Sequence, residues 1–466
     1  MRLADLEHKR VAVWGCGREG RAALAVLRRR FPRQHVTLFC SEAEAAALVA
    51  DARVSFRSAN ASDKPNILVV TTPVDEAALA AFDIVIKSPG ISPYREPYCT
   101  AENAGVRFTS GTALWFGERS QARTICITGT KGKSTVSALI AHLLRAGGRL
   151  TALAGNIGMP LLDLLDVAAE PDWWVIELSS FQTRDFDGAP TVAVINNLYE
   201  EHLDWHVNGA NYAADKLRIA ARAKRLVINA GQKRLVAMTQ GDLADSFNQV
   251  SGWHMRDGEL WRADRRVLAR GEIPLPGTHN ALNVCAALAA IEAASEDAVS
   301  SAPFVASFKG LPHRLQYLGE RDGIDYVNDS ISTTPYAAIE ALRSVGERRS
   351  TILVGGFDRG VDWTPFVEHV GRHPPHAVVT LGANGDAIAA RLEALKTPVA
   401  LASTDSLAAA VGRARSLTET GGAIVLSPGA PSFDQFSDYA ERGREFARLA
   451  GFDPTAIAAI EGLGIA

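Results

Sequence analysis

Short apolar runs rich in β-branched residues alternate with amphipathic, alanine-rich segments along most of the chain. Over the first hundred residues the runs are VAVWG (11–15), VTLFC (36–40), ILVV (67–70) and DIVIKSPG (83–90). Runs of this length separated by helix-period segments predict parallel strands joined by helical crossovers. VRFTSGTALW (106–115) leads into a second set: RTICITG (123–129), WWVIEL (173–178), TVAVINN (191–197) and RLVINA (225–230). STVSALIAHLLRAGG (134–148) predicts a helix closed by glycines. The stretch 231–275 is polar and poor in strand signals, which predicts connections with short β pieces, and HNALNVCAALAAIEAA (279–294) predicts a helix. After FKGLPHRL (308–315) a third alternation begins with IDYVNDS, TILVGG, AVVTLG and AIVLSPG. The expectation is an α/β chain of three domains, residues 1–111, 112–311 and 312–466, the outer two Rossmann-like and the central one built on a phosphate loop.

Length agrees with that division: 466 residues, at roughly 150 per domain, give three. With 49 Lys+Arg against 52 Asp+Glu the net charge is −3, which argues against a polyanion-binding surface and so against nucleic acid as a partner. Cys16, Cys40, Cys99, Cys126 and Cys285 are odd in number, far apart and contain no CxxC pair. Neither a disulfide framework nor a zinc knuckle is expected. No signal-peptide core precedes the first strand and no run of 18 apolar residues occurs, so the expected compartment is the cytoplasm, without a membrane span.

The strongest chemical signal is Thr128-Gly129-Thr130-Lys131-Gly132-Lys133-Ser134-Thr135, between a strand and a helix. Backbone N–H groups of such a loop cradle phosphates, the lysine neutralises β/γ oxygens, and the hydroxyl after it meets Mg²⁺. Strict spacing asks for glycine at position 127, which is Ile127 here. Gly15-Cys16-Gly17-Arg18-Glu19-Gly20 fits GxGxxG after the first strand, with Glu42 where an acidic ribose contact belongs. Alone it suggests an NAD-dependent oxidoreductase, any phosphate-bearing nucleotide, or a tight turn with no ligand. Glu177 ends a strand where a carboxylate meets a metal at the phosphate loop; Ser179, Ser180 and Gln182 after it also read as a helix cap. His202 follows a further strand and Lys216 falls on a helical segment, while Asn280 and Asn283 share one helix face. Arg314 and Asp329 flank the start of the third domain.

In order, TGTKGKST, GNIG (155–158), ELSSFQ (177–182), EHLDWH (201–206), YAADKL (212–217), GTHNALN (277–283), LPHR (311–314), NDS (328–330) and LSPGAPSFDQF (426–436) resemble the Mur ligases of peptidoglycan synthesis, in particular the members that join glutamate to UDP-N-acetylmuramoyl-L-alanine. The resemblance covers nearly the whole chain. It implies a uridine-nucleotide site at Gly15, Gly17, Arg18, Glu19, Ser88, Pro89 and Gly90, with Asn156, Ser179, Gln182 and His202 along the sugar and alanyl end. It implies ATP held by Gly129, Thr130, Lys131, Gly132, Lys133, Ser134 and Thr135, and by Asn280, Asn283, Arg314 and Asp329. Two Mg²⁺ ions are implied, one on Ser134 and Glu177, the other on His202 and a carbamylated Lys216. Lys133, Glu177, His202 and Lys216 are the implied catalytic set. The implied chemistry is an acyl phosphate on the alanyl carboxylate, then attack by the glutamate amine, in a monomer.

The chain departs from the family pattern around the incoming amino acid. Where the pattern has DSKAT, this chain reads Asp329-Ser330-Ile331-Ser332-Thr333. A family lysine after a paired glycine corresponds to Arg359, the aromatic clamp to Tyr439 and its serine partner to Ser432, with Thr333 completing the implied glutamate pocket. Lys131 replaces an asparagine, and HRFE has become HRLQ with Gln316. Arginine grips a carboxylate in stricter geometry than lysine. These features resemble the branch that adds L-glutamate and leaves inversion to a separate epimerase; the alternative is drift around an ordinary D-glutamate pocket.

Overall fold

In the computed structural model, residues 1–49, 66–239, 245–346, 348–395, 397–457, 460 and 462–466 are described. The first apolar runs become β1 (Val11–Trp14), β2 (Val36–Phe39), β3 (Ile67–Val70), β4 (Ile84–Lys87) and β5 (Arg107–Thr109), a parallel sheet in the order β3-β2-β1-β4-β5. Val11, Ala12 and Val13 in the central strand are buried on both faces, which is why the run is apolar throughout rather than alternating. Strand order reverses between β1 and β4, and at such a switch point the crevice beyond the strand ends takes ligands.

A second sheet holds β6 (Thr124–Thr128), β7 (Thr151–Gly155), β8 (Trp173–Glu177), β9 (Val192–Ile195), β10 (Arg225–Asn229), β11 (Asp245–Phe247), β12 (Trp253–Arg256), β13 (Glu259–Arg262) and β14 (Arg265–Leu268). They run in the order β14-β13-β12-β11-β10-β9-β6-β8-β7. The stretch 231–275 is thus richer in strand than its sequence suggests. β12, β13 and β14 form an antiparallel meander in which Trp253, Leu260 and Leu268 are buried while arginines stand outward. The outward face supplies the polarity that masks the pattern.

The third alternation forms β15 (Gln316–Arg321), β16 (Ile324–Asn328), β17 (Ser350–Val354), β18 (Ala377–Leu381), β19 (Ala400–Thr404) and β20 (Ala423–Leu426), in the order β15-β16-β20-β17-β18-β19. The two strands without a clear apolar run, β15 and β19, are its edges and bury no residue fully. The final strand, β21 (Gly464–Ile465), pairs antiparallel with β7 and gives the second sheet its tenth strand.

By contacts the chain divides into two units, Met1–Glu272 with Leu282–Val305 and Gly462–Ala466, and Ile273–Ala281 with Ala306–Glu461. The first contains both earlier sheets because one core runs beneath them: Leu24, Leu27, Trp115, Leu162 and Trp174 belong to the same buried cluster, and Trp115 meets Trp174 edge-on at 4.8 Å. No helix among the described residues is long and apolar enough to cross a membrane.

Candidate active site

The phosphate loop leaves the buried end of β6 and enters the helix Lys133–Ala146 through Gly132, whose φ of +78° lies in the left-handed region. A Cβ there would stand 2.4 Å from Asn283 Oδ1 and 2.5 Å from Asn196 Nδ2, so glycine is required by space as well as by φ. Neighbouring strand ends hold the loop. Asn196 Nδ2 donates to the Lys131 carbonyl at 3.1 Å and to Asn283 Oδ1 at 2.9 Å, and the Lys131 amide donates to Asn197 Oδ1 at 2.7 Å. Thr130 Oγ1 lies 2.8 Å from the Tyr212 hydroxyl and accepts from the Tyr199 amide. Lys133 Nζ folds back onto the Gly129 and Thr130 carbonyls at 3.0 and 2.9 Å, and the Lys131 ammonium pairs with Glu201. Ser134 and Thr135 follow in the first helical turn, Ser134 buried.

Glu177 ends β8, which pairs with β6, and is completely buried. Its Oε1 accepts from Asn156 Nδ2 at 2.7 Å, but Oε2 has no hydrogen-bond partner. Leaving such an oxygen unsatisfied costs about 1–3 kcal/mol, more when it is charged, and a carboxylate oxygen of this kind has the chemistry to accept a cation. Lys216, on the helix Gly209–Leu217, is buried and donates from Nζ to the Gly129 carbonyl at 2.7 Å. Burial, and then Lys133 nearby, holds its ammonium well below the usual lysine range. His202 begins the short helix Leu203–His206 at a φ of +55°, with its ring 5.0 Å from that of Phe181.

Ser179 and Gln182 form a reciprocal capping box at the helix Ser180–Arg184. The cap alternative raised by the sequence is therefore realised, and Gln182 Nε2 still reaches Glu19 Oε1 at 3.2 Å. Glu19 is pushed up to about 7, mainly by burial. In the first sheet Gly15 packs so closely on Ser88 that an added Cβ would lie 2.6 Å from its Oγ, an atom that is buried without a partner. Gly17 caps the helix Arg18–Arg30, and Arg18 donates to the Gly158 carbonyl. Pro89 is half-buried and Gly90 exposed, the latter accepting at its carbonyl from Trp205 Nε1 at 3.0 Å. The acidic residue at the glycine turn is not Glu42, which is exposed, but Glu44, whose Oε1 accepts from the Cys16 amide at 3.1 Å. Two residues further along the helix, Glu44 points back to the turn.

In the second unit Asp329 follows β16, and is buried. Its Oδ2 accepts from Ser427 Oγ at 2.7 Å and its Oδ1 from the Leu315 amide at 3.1 Å, and burial pushes it up to about 7. Arg314 is exposed, and Asn280 donates from Nδ2 to the Pro276 carbonyl. Thr333 is exposed, Ile331 half-buried and Ser432 buried. Arg359 stands over the Phe433 ring at 5.7 Å, and Phe433 meets Phe357 edge-on at 6.3 Å. The Tyr439 ring, exposed, lies 6.0 Å from that of His313. Sequence reasoning missed Tyr212, Asn196 and Asn197. The asparagines had a signal, two polar residues closing an apolar strand where α/β sheets place ligands.

A phosphate loop at a helix N-terminus, a buried half-satisfied carboxylate and a buried lysine at adjoining strand ends define a nucleotide-using α/β enzyme. Residues 127–291 match the Mur ligase middle domain. A protein of Xanthomonas axonopodis pv. citri named UDP-N-acetylmuramoyl-L-alanine–L-glutamate ligase is 48% identical, with all of both chains covered. One of the same name from Xylella fastidiosa (strain 9a5c) is 50% identical over the whole of both. Among solved structures, the UDP-N-acetylmuramate-alanine ligase of Thermotoga maritima aligns with a TM-score of 0.58 at 18% identity, covering 95% of this chain and 99% of that one, a likeness of fold. The chain belongs to the Mur ligase family, with that family's three-domain α/β fold. The glycine turn at 15–20 is accordingly not the mark of an NAD-dependent oxidoreductase.

Proposed function

We propose that this chain joins L-glutamate to UDP-N-acetylmuramoyl-L-alanine at the expense of ATP, a step of peptidoglycan precursor synthesis. The observation that carries it is the convergence of the phosphate loop, Glu177 and Lys216 on neighbouring strand ends, in a chain that relatives named L-glutamate ligases match end to end. Residues 1–111 bind the nucleotide sugar, 112–311 bind ATP and 312–466 present glutamate.

Lys133 and the loop amides hold the ATP phosphates while Gln182, Ser179, Asn156 and His202 orient the alanyl end. An oxygen of the alanyl carboxylate bonds to the γ-phosphorus as the bond to ADP breaks, which gives an acyl phosphate. The glutamate amine then bonds to the acyl carbon, phosphate departs, and the amine loses a proton. Oxygen donors at Ser134 and Glu177 suit Mg²⁺, and the partnerless Glu177 Oε2 fits that assignment. Burial lowers the pKa of Lys216 well below the usual lysine range, which favours the amine form that bonds to CO₂ with loss of a proton; the resulting carbamate would, with His202, hold the second ion. Bound at these positions, Mg²⁺ would neutralise charge on the phosphoryl group in transfer.

Replacement of the two family lysines, one by Ile331 and the other by Arg359, supports L- over D-glutamate, since the two enantiomers direct their carboxylates differently from one α-carbon. The enzyme works in the cytoplasm, as a monomer, and a separate epimerase inverts the added residue. The test supplies ATP, Mg²⁺ and UDP-N-acetylmuramoyl-L-alanine with either glutamate enantiomer and follows phosphate release and product mass. Product with L-glutamate alone is expected. Product with D-glutamate alone would overturn the stereochemistry, and none with either would overturn the nucleotide substrate.

A further inference from the structure

Arg442 lies in the first turn of the helix Tyr439–Ala450 and is one of the largest fully buried side chains. Its guanidinium spends its donors on neutral oxygens. Nε donates to Ser330 Oγ at 3.1 Å, Nη2 to the Ser330 and Ala430 carbonyls at 2.8 and 3.0 Å, and Nη1 to the Pro431 carbonyl at 3.2 Å. Burial lowers its pKa to about 10, so the cation persists at neutral pH. A buried cation held by main-chain carbonyls is an unusual way to satisfy a core, because an apolar side chain of similar volume costs less to bury. Its placement needs another account.

Each implied glutamate contact lies on a segment that this one group reaches directly or through one further hydrogen bond. Thr333 follows Ser330 in the loop after β16, and Ser432 follows Pro431 in the loop after β20. The Pro431 carbonyl that accepts from Arg442 also accepts from the Phe357 amide at 2.9 Å, in the loop that carries Arg359. Ser330 Oγ, which accepts from Arg442, donates to the carbonyl of Tyr439 at 2.8 Å. Three strand-end loops and one helix start are thereby fixed by a single fork. Lysine offers three donors from one nitrogen and cannot span those directions.

We propose that Arg442 is a positioning residue for the incoming amino acid: by tying the loops after β16, β17 and β20 together it sets the spacing of Thr333, Arg359, Ser432 and Tyr439 around glutamate. The inference rests on the glutamate-pocket reading above. It is tested by steady-state kinetics of Arg442→Lys, Ser330→Ala and, as reference, Arg359→Ala, with L-glutamate, ATP and UDP-N-acetylmuramoyl-L-alanine varied in turn. Arg442→Lys is expected to raise the KM for L-glutamate at least ~10-fold, to leave the other two KM values within ~2-fold, and to lower kcat less than KM rises. An unchanged glutamate KM in the folded variant, or an equal rise in the KM for ATP, overturns it. If Arg442→Lys does not fold, Ser330→Ala decides: it removes the oxygen between Arg442 and Tyr439 and is expected to raise the glutamate KM about 3-fold, and no rise overturns the proposal. A shift in Arg359→Ala without one in the Arg442 and Ser330 variants defeats this inference alone. No shift in any of the three defeats the pocket reading itself.

Discussion

Lys133 and Lys216 donate to the same oxygen, the carbonyl of Gly129, at 3.0 and 2.7 Å. One lysine opens the helix after the loop and the other comes from a helix formed by residues 209–217. The shared acceptor brings two lysine side chains together, and burial drives Lys216 toward its neutral form. Under the proposed function Lys133 is the side chain that meets the ATP phosphates. Lys133→Ala should reduce ATP-dependent ligation at least ~10³-fold, with circular dichroism and thermal midpoint close to the parent. Near-normal phosphate release would remove Lys133 from the chemistry.

Glu177→Gln keeps the shape and the contact with Asn156 while removing the charge of the buried carboxylate. The Mg²⁺ concentration for half-maximal rate should rise at least ~10-fold, with little change in fold. A Mg²⁺ titration of the rate reads this directly, and an unshifted curve would take Glu177 out of the metal site.

Gly132→Ala forces a Cβ against Asn283 and Asn196 at a positive φ. The loop must open to relieve the contact, which misdirects its amides. The KM for ATP should rise ~10-fold or more, and that for glutamate much less. Isothermal titration with ADP would give the same ordering without turnover.

Arg359→Lys keeps the charge and loses the planar fork that sits over Phe433. Its KM for glutamate should rise far more than its KM for ATP. Equal effects on both would place Arg359 outside the amino-acid pocket.

Asp329 gives a pH signature. Its carboxyl titrates near 7 when folded against an ordinary 3.8. Between those values the native state binds the extra proton, so the contribution of this group to stability falls as pH rises from about 4 to about 7 and is level above. Asp329→Asn removes the titration. The parent's thermal midpoint relative to that variant should therefore drop across this window, and a pH-independent difference would show that Asp329 is charged throughout.

Strands buried on both faces, such as Ile125–Ile127 and Trp173–Ile176, were legible because burial leaves no polar position in the run. So were the phosphate loop, its helix, and the carboxylate ending β8, since local spacing alone demands them. The meander at 253–268 was hidden by its outward arginines. Glu44 was missed for Glu42 because two positions along a helix, about half a turn, decide which carboxylate faces the glycine turn. Arg442 was invisible for a different reason: in DYAERGREF the buried Arg442 and the half-buried Arg444 read alike, and only the carbonyls around Arg442 tell them apart.

The strand Gly464–Ile465 pairs with β7, and the Ala466 carbonyl accepts from Arg145 Nε, 321 positions earlier in sequence. β7 leads into Gly155 and Asn156, the residues that support Glu177. During synthesis the edge of β7 therefore stays unpaired while the entire six-stranded sheet is still being made. Closing it is among the most non-local events in this chain, hence slow, and the bare edge is exposed to pairing with other chains in the meantime. A fusion that masks residues 464–466 would prolong that interval and should lower the yield of folded enzyme before it touches any rate constant.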